Sequence, residues 1–149
     1  MERTLIILKP DAVQRGLIGE ILQRLERRGL RLAALKFATI DRATAARHYA
    51  EHEGKPFYPG LIDYITSAPV VLAVIGGNNA IAIVRTTMGV TNPANAAPGT
   101  IRGDLAVETG RNLIHGSANA DDATREVALF FRPEEIQSWE RSTDRWIQE

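Results

Sequence analysis

His115 stands in the run Gly110-Arg111-Asn112-Leu113-Ile114-His115-Gly116-Ser117, where an apolar pair leads straight into an imidazole and the glycine behind it leaves one side of the ring open. A neutral histidine nitrogen is a nucleophile near pH 7, and a phosphoramidate formed on it readily passes its phosphoryl group on. Such a histidine needs a carboxylate on its far nitrogen, to fix the tautomer and to meet the positive charge that develops. Glu126, just ahead of the apolar run Val127 to Phe131, is the candidate. On these residues alone His115 reads equally well as a buried, hydrogen-bonded strand histidine.

Phosphoryl transfer passes through a loose transition state, so cations and donors around the charged oxygens dominate. Arg85 and Arg102 bracket a long loop, Thr91 and Thr100 offer hydroxyls, and Lys9 ends an apolar run at a turn. Most of the 15 arginines are expected to be solvated surface groups, and only convergence on one pocket separates the two readings. Phe57 offers a plane for a base to stack on, or a core contact. His48 and His52, four apart on an expected helix beside Glu51 and Glu53, have the spacing of a metal pair, although His48-Tyr49-Ala50-Glu51-His52 is not H-E-x-x-H. The alternative is two exposed helix histidines. Nothing matches a P-loop or a dinucleotide glycine fingerprint, and Ser117 lacks the G-x-S-x-G elbow of a serine hydrolase.

The elements that must position these groups follow from the apolar spacing. Thr4 to Leu8 reads as a strand buried on both faces and stopped by Pro10. Ile18, Ile21, Leu22 and Leu25 form one helix face, with Gly29 as its C-terminal cap. A second strand covers Leu30 to Ile40, Asp41 caps a helix to about Tyr49, and Leu61, Ile62 and Ile65 mark a helix ending near Ser67. Val70 to Ile75 is a central strand and Ala80 to Thr87 a helix. Met88 to Gly103 is a long Pro/Gly loop, Val127 to Phe131 the last strand, and Pro133 opens a terminal helix. Four strands in βαββαβ-like order predict an α+β fold with helices covering one face of the sheet.

A chain of 149 residues suits one domain with its own core, over residues 1–149. Eighteen basic against 18 acidic residues leave no overall field for nucleic acid or an anionic membrane, so phosphate binding must be local. The absence of cysteine excludes disulfides, thiolate metal sites and a cysteine nucleophile. Neither the short run Leu5 to Leu8 nor Val70 to Ile75 is long enough for a signal core or a membrane span, which points to a soluble, cytoplasmic protein.

Five stretches, in order, carry a resemblance to the nucleoside diphosphate kinase family over essentially the whole chain: Arg3 to Val13, Lys55-Pro56-Phe57-Tyr58, Thr91-Asn92-Pro93-Ala94, Pro98 to Asp104, and Gly110 to Ser117. The resemblance implies a ferredoxin-like antiparallel four-stranded sheet and a ping-pong transfer from nucleoside triphosphate to diphosphate, such as ATP to GDP, with His115 becoming phosphohistidine. Glu126 would orient it, and Tyr49 and Ser117 would hydrogen-bond around it. His52, Arg85, Thr91 and Arg102 would hold phosphates, Lys9 and Asn112 the ribose hydroxyls, and Phe57 with Leu61 the base, with little contact to base edges and so broad specificity. Mg2+ would be bound mainly through the phosphates, with no direct protein ligand. A homohexamer is implied by the C-terminal stretch to Trp146 and Glu149, with a homotetramer as the alternative. The chain departs from the family after the nucleophile, with Ser117-Ala118-Asn119 in place of Ser-Asp-Ser. Its long loop is also less charged, at Asn95, Ala96 and Ala97, which predicts weaker subunit contacts there.

Two other classes share the element order. An RNA-recognition domain needs exposed aromatic and basic residues on the sheet, which Thr4 to Leu8 lacks. A regulatory small-ligand module would not need His115 and Glu126 together with phosphate-binding groups. A secondary role in histidine-protein phosphotransfer or DNA binding is compatible with the kinase.

Overall fold

In the computed structural model, which describes residues 1–149, the apolar run at the N-terminus forms β1 (Glu2–Leu8), and Pro10 begins a short helix, α1 (Pro10–Gln14). Proline suits that first helical position because its missing N–H would be unpaired there anyway. The chain continues through α2 (Ile18–Arg28), β2 (Arg31–Ala38), α3 (Arg42–His48), α4 (Tyr58–Ile65), β3 (Val70–Gly77), α5 (Ala80–Met88), α6 (Ile101–Leu105), β4 (Ile114–Gly116) and α7 (Ala120–Phe130). The sheet order is β2-β3-β1-β4 with every neighbouring pair antiparallel, the ferredoxin-like arrangement.

The caps explain where the helices stop and start. Gly29 ends α2 at φ 109°, a left-handed conformation that costs glycine nothing. Asp41 accepts a 2.7 Å hydrogen bond from the Thr44 N–H at the start of α3. Thr100 accepts from the Gly103 N–H at 3.0 Å and so opens α6 inside the region expected to be loop throughout.

Alternation along β1 serves two cores. Ile6 and Leu8 join Ile21 and Leu25 of α2 and Val84 and Met88 of α5, while Leu5 and Ile7 join Ala45, Ile62, Ile65 and Phe130 from α3, α4 and α7. The expectation of helices on one face is therefore corrected: both faces are covered. The sequence reason is visible in β3, all of whose residues are buried. A strand apolar at successive positions must have cover on each side. Each fully buried aliphatic side chain contributes about 1.5–3 kcal/mol.

The last strand also differs from expectation. Val127 to Phe130 completes α7, only Phe131 is extended (φ −131°, ψ 137°), and the fourth strand is Ile114–Gly116, with His115 at its centre. Asn119 caps α7 by accepting from the Asp122 N–H at 2.8 Å, and Ala123, Glu126 and Phe130 form its buried face. An apolar run of five residues fits either period, and the capped turns before it decide for helix. From Pro133 the chain forms two 3₁₀ turns, Pro133–Glu135 and Asp144–Trp146, rather than a terminal helix.

Candidate active site

β4 lies at the sheet edge, with His115 paired opposite Ile7 of β1. The ring is half-buried, and its Nε2 lies 3.0 Å from Oε1 of Glu126 on α7. Ser117 donates to the same oxygen at 2.6 Å while its Oγ accepts from the Leu5 N–H at 3.3 Å. Burial works to raise the Glu126 pKa, but the hydrogen bonds from His115 and Ser117 and the adjacent His115 charge outweigh it, and the carboxyl is held down at about 2. An ionised carboxylate can only accept, so Nε2 carries the proton and Nδ1 keeps its lone pair.

Behind the pair lies His48, buried, its ring edge-on to His115 with centroids 4.8 Å apart and both nitrogens without a partner. Burial, and then the His115 charge, lower its pKa to about 3, so it is neutral at physiological pH. The ring row continues from His48 to Tyr49 at 4.5 Å, from Tyr49 to His52 at 6.2 Å, and from His52 to Phe57 at 5.3 Å. Tyr49, with its pKa pushed up to about 12 by burial and then by Glu126, makes its site contact through His48 rather than by a hydrogen bond to His115. Phe57 is exposed, and Leu61, one turn on, is partly buried against the core.

Of the two readings of His48 and His52, the metal pair does not form. α3 ends at His48, and the following 3₁₀ turn, Ala50–His52, swings His52 out toward Lys55 at 3.2 Å and Glu51 at 3.7 Å. The donor atoms of His48, His115 and Glu126 instead lie within 4.8 Å of one another.

On the other side of β4 the cations converge. Lys9 Nζ donates to Asn112 Oδ1 at 2.8 Å, and Asn112 Nδ2 donates to the Thr91 carbonyl at 2.9 Å. Arg102 donates to the carbonyls of Asn112 and Gly89, each at 3.1 Å, and to that of Ile114; Arg85 donates to the Gly116 carbonyl at 3.2 Å. Burial and then Arg85 lower the Arg102 pKa to about 10. Burial and then Arg102 lower that of Lys9 to about 8, against the opposing pull of Asp11. Thr100 does not join them: its hydroxyl caps α6 and donates to the Ala97 carbonyl at 2.6 Å. Sequence reasoning missed His48, a packing partner of the His115 ring, as well as Asp11, which accepts from the Leu113 N–H, and Tyr64, which bonds Asp11. The position of His48 beside Tyr49 was the available signal.

A half-buried histidine on an edge strand, a buried carboxylate behind it and a group of cations beside it are an arrangement suited to a phosphotransferase. A model of the family "Nucleoside diphosphate kinase" matches residues 2–136. Among curated relatives, the nucleoside diphosphate kinase of Roseiflexus castenholzii is 63% identical over 149 residues, covering 100% of both chains. That of Thermomicrobium roseum is 62% identical over 147 residues, covering 99% of each. Among solved structures, a halophilic nucleoside diphosphate kinase from Halobacterium salinarum in complex with CDP superposes with a TM-score of 0.97 at 51% identity, covering 99% of each chain. The chain belongs to the nucleoside diphosphate kinase family.

Proposed function

We propose that the chain moves the γ-phosphoryl group of a nucleoside triphosphate to a nucleoside diphosphate in two half-reactions, with His115 holding the group in between. The observation that carries this reading is the hydrogen bond from His115 Nε2 to Glu126, which commits one ring nitrogen and leaves Nδ1 as the nucleophile. In the first half-reaction Nδ1 attacks the γ-phosphorus. The N–P bond forms as the bond to the bridging oxygen breaks, and the diphosphate leaves with the electron pair. In the second, a terminal oxygen of the acceptor diphosphate attacks the same phosphorus and the N–P electrons return to Nδ1. The Nε2 proton stays on its hydrogen bond to Glu126 throughout, and the carboxylate balances the charge on the phosphorylated ring.

Arg85 and Arg102 stabilise the phosphoryl oxygens, and Arg102 keeps spare N–H donors because three of its five are used on carbonyls. His52 and Thr91 hold the outer phosphates, Lys9 with Asn112 takes the ribose hydroxyls, and Tyr49 and Ser117 support the His115–Glu126 pair. Phe57 and Leu61 present apolar surface to the face of the base, which supports acceptance of all common bases. The CDP bound by the Halobacterium salinarum relative supports a diphosphate as acceptor.

Mg2+ is the implied cofactor. Asp11 and Glu126 are committed to protein donors, and the one clustered donor set is rich in nitrogen, which Mg2+ disfavours. The pocket therefore suits an ion carried on the nucleotide phosphates, where it would neutralise their charge. No helix is long and apolar enough to cross a membrane. The working form in this reading is a homohexamer, with a homotetramer as alternative, acting in the cytoplasm without nucleic acid or membrane.

The test is to incubate the protein with magnesium and γ-labelled ATP, remove free nucleotide, and look for an acid-labile, base-stable label that chases onto GDP. Wild type is expected to be labelled and discharged, and His115→Gln to do neither. An unlabelled wild type refutes the phosphohistidine route.

A further inference from the structure

Resting on the reading that His115 is the nucleophile, we propose that Asp11, fastened by Tyr64, is a positioning residue that holds the backbone bend aiming His115. Two residues before the histidine, Leu113 has φ 73°, a left-handed conformation that its Cβ opposes. Ile114 N–H closes onto the Asn112 carbonyl at 2.8 Å, which makes Asn112-Leu113-Ile114 a γ-turn of the strained, left-handed kind. β4 is only three residues long, so it has little ladder of its own with which to absorb a change in that turn.

Asp11 supplies the missing constraint from α1. Its Oδ2 accepts the Leu113 N–H at 3.1 Å, and the Leu113 carbonyl accepts the Lys9 N–H at 2.8 Å, so both sides of the bend are fixed to the passage from β1 into α1. The Leu113 side chain is fully buried, which stops the turn from rolling outward. The other carboxylate oxygen, Oδ1, accepts from the Tyr64 hydroxyl, while the Asp11 N–H donates back to the Tyr64 oxygen at 3.3 Å. Burial and then the bond to Asp11 push the Tyr64 pKa upward, so the hydroxyl remains a donor. The Arg111 guanidinium lies 4.2 Å over the Tyr64 ring and closes the outer side. Tyr64 belongs to α4, whose N-terminal end carries Phe57 and Leu61. The helix that contacts the base is thereby joined, through a single carboxylate, to the strand that carries the nucleophile.

Loss of the Asp11 carboxylate strands the Leu113 N–H in a buried place and removes what opposes relaxation of φ to negative values. The peptide planes on either side of Leu113 then rotate, and Nδ1 of His115 moves off the line of attack. A misplacement of about 1 Å lowers a rate about 100-fold.

The experiment is quenched-flow measurement of His115 labelling by γ-labelled ATP over a range of ATP concentrations. Asp11→Ala is expected to lower the maximal labelling rate about 100-fold while the half-saturating ATP changes less than about threefold. Asp11→Asn, which keeps an acceptor for the Leu113 N–H, recovers most of that loss. In a Leu113→Gly background, where positive φ carries no steric penalty, Asp11→Ala costs less than about threefold. A wild-type rate in Asp11→Ala, or the same loss in both backgrounds, overturns the proposal. If Asp11→Ala does not fold, Tyr64→Phe carries the test: labelling about tenfold slower at unchanged half-saturation sustains it, and a wild-type rate overturns it. An unlabelled wild type would instead signal failure of the underlying phosphohistidine reading, and it shows before any variant is compared.

Discussion

At the scale of single residues, the chemistry turns on two groups moved away from their ordinary pKa values in opposite senses of usefulness. Glu126, held at about 2, is ionised near neutral pH, so in the proposed mechanism its charge is available to balance a phosphorylated His115 ring. Replacing it with glutamine keeps an acceptor for Nε2–H but removes the charge. Labelling at saturating ATP is expected to slow about 100-fold, as for loss of a charge-stabilising group, with little change in half-saturation. The sign for stability follows from the depression: the Glu126 contribution is complete above the ordinary carboxyl value of 4.5 and is lost as pH falls toward about 2. Denaturant midpoints measured from pH 5 to 2 should therefore fall less steeply for Glu126→Gln than for wild type. Lys9 behaves differently, because its pKa of about 8 lies below the ordinary 10.5. Its folded environment penalises the charged form, and that penalty is present in full below about 8 and relieved as pH rises through it. In the proposed site a bound nucleotide would supply the missing negative charge and favour the ammonium again. Binding of CDP at pH 8.5 to 9.5 is accordingly expected to take up protons, seen as a dependence of calorimetric heat on buffer ionisation enthalpy, and Lys9→Met should abolish that dependence.

At the scale of elements, the site depends on α7 presenting Glu126 to β4, and α7 depends on its cap. Asn119→Ala removes the acceptor for the Asp122 N–H and is expected to lower stability by about 1 kcal/mol in urea denaturation, while the labelling rate falls less than for Glu126→Gln. This element also shows why some of the fold was legible in sequence and some was not. β1, α2 and α3 carried their own evidence: an apolar run closed by Pro10, one clean helical stripe ending at Gly29, and Asp41 as cap. β4 did not, since three residues are too few for a period to show, and the strand was instead assigned to Val127 to Phe131, where five apolar residues sit at the end of a capped helix. The motifs around Lys9, Phe57, Arg102 and His115 marked the site because they are local strings. Asp11 was visible within one of those strings, but its bond to Leu113 spans about a hundred positions and a positive φ leaves no trace in a leucine's identity. Likewise nothing in the sequence marks His48 as buried, because only the packing of α3 on α7 encloses it between Tyr49, His115 and Phe130.

At the scale of the whole molecule, the two edges of the sheet differ in cover: Arg102 and Arg85 donate to carbonyls along β4, whereas the C-terminal stretch bonds only the first half of β2. β2 is an edge strand, paired only with β3, and it exposes Leu35 at 55% and Phe37 at 64%. The C-terminal stretch covers the start of this strand, where the Gln137 N–H donates to the Ala33 carbonyl and Trp139 Nε1–H to the Leu32 carbonyl, each at 2.8 Å. Beyond it, an edge with outward apolar side chains invites another chain unless charge or proline blocks it, and between Leu35 and Phe37 stands only Lys36, which is turned back onto Glu135 and the Phe130 carbonyl. A formal charge of zero removes the long-range repulsion that would keep copies apart. Self-association is thus expected to begin at this strand, with higher assembly built from the pair. Sedimentation equilibrium should give six times the 16.4 kDa chain mass for the proposed hexamer, or four times for the tetramer. Phe37→Glu places a carboxylate against its own copy across the two-fold and should shift the mass toward a species with the β2 pairing broken. His115 lies on β4 at the opposite edge, with two strands between, so the variant's labelling by ATP should persist even where its thermal stability falls. A Phe37→Glu protein that keeps the wild-type mass would move the interface elsewhere on the surface, whereas loss of labelling together with mass would mean that the site needs its neighbours to stay assembled.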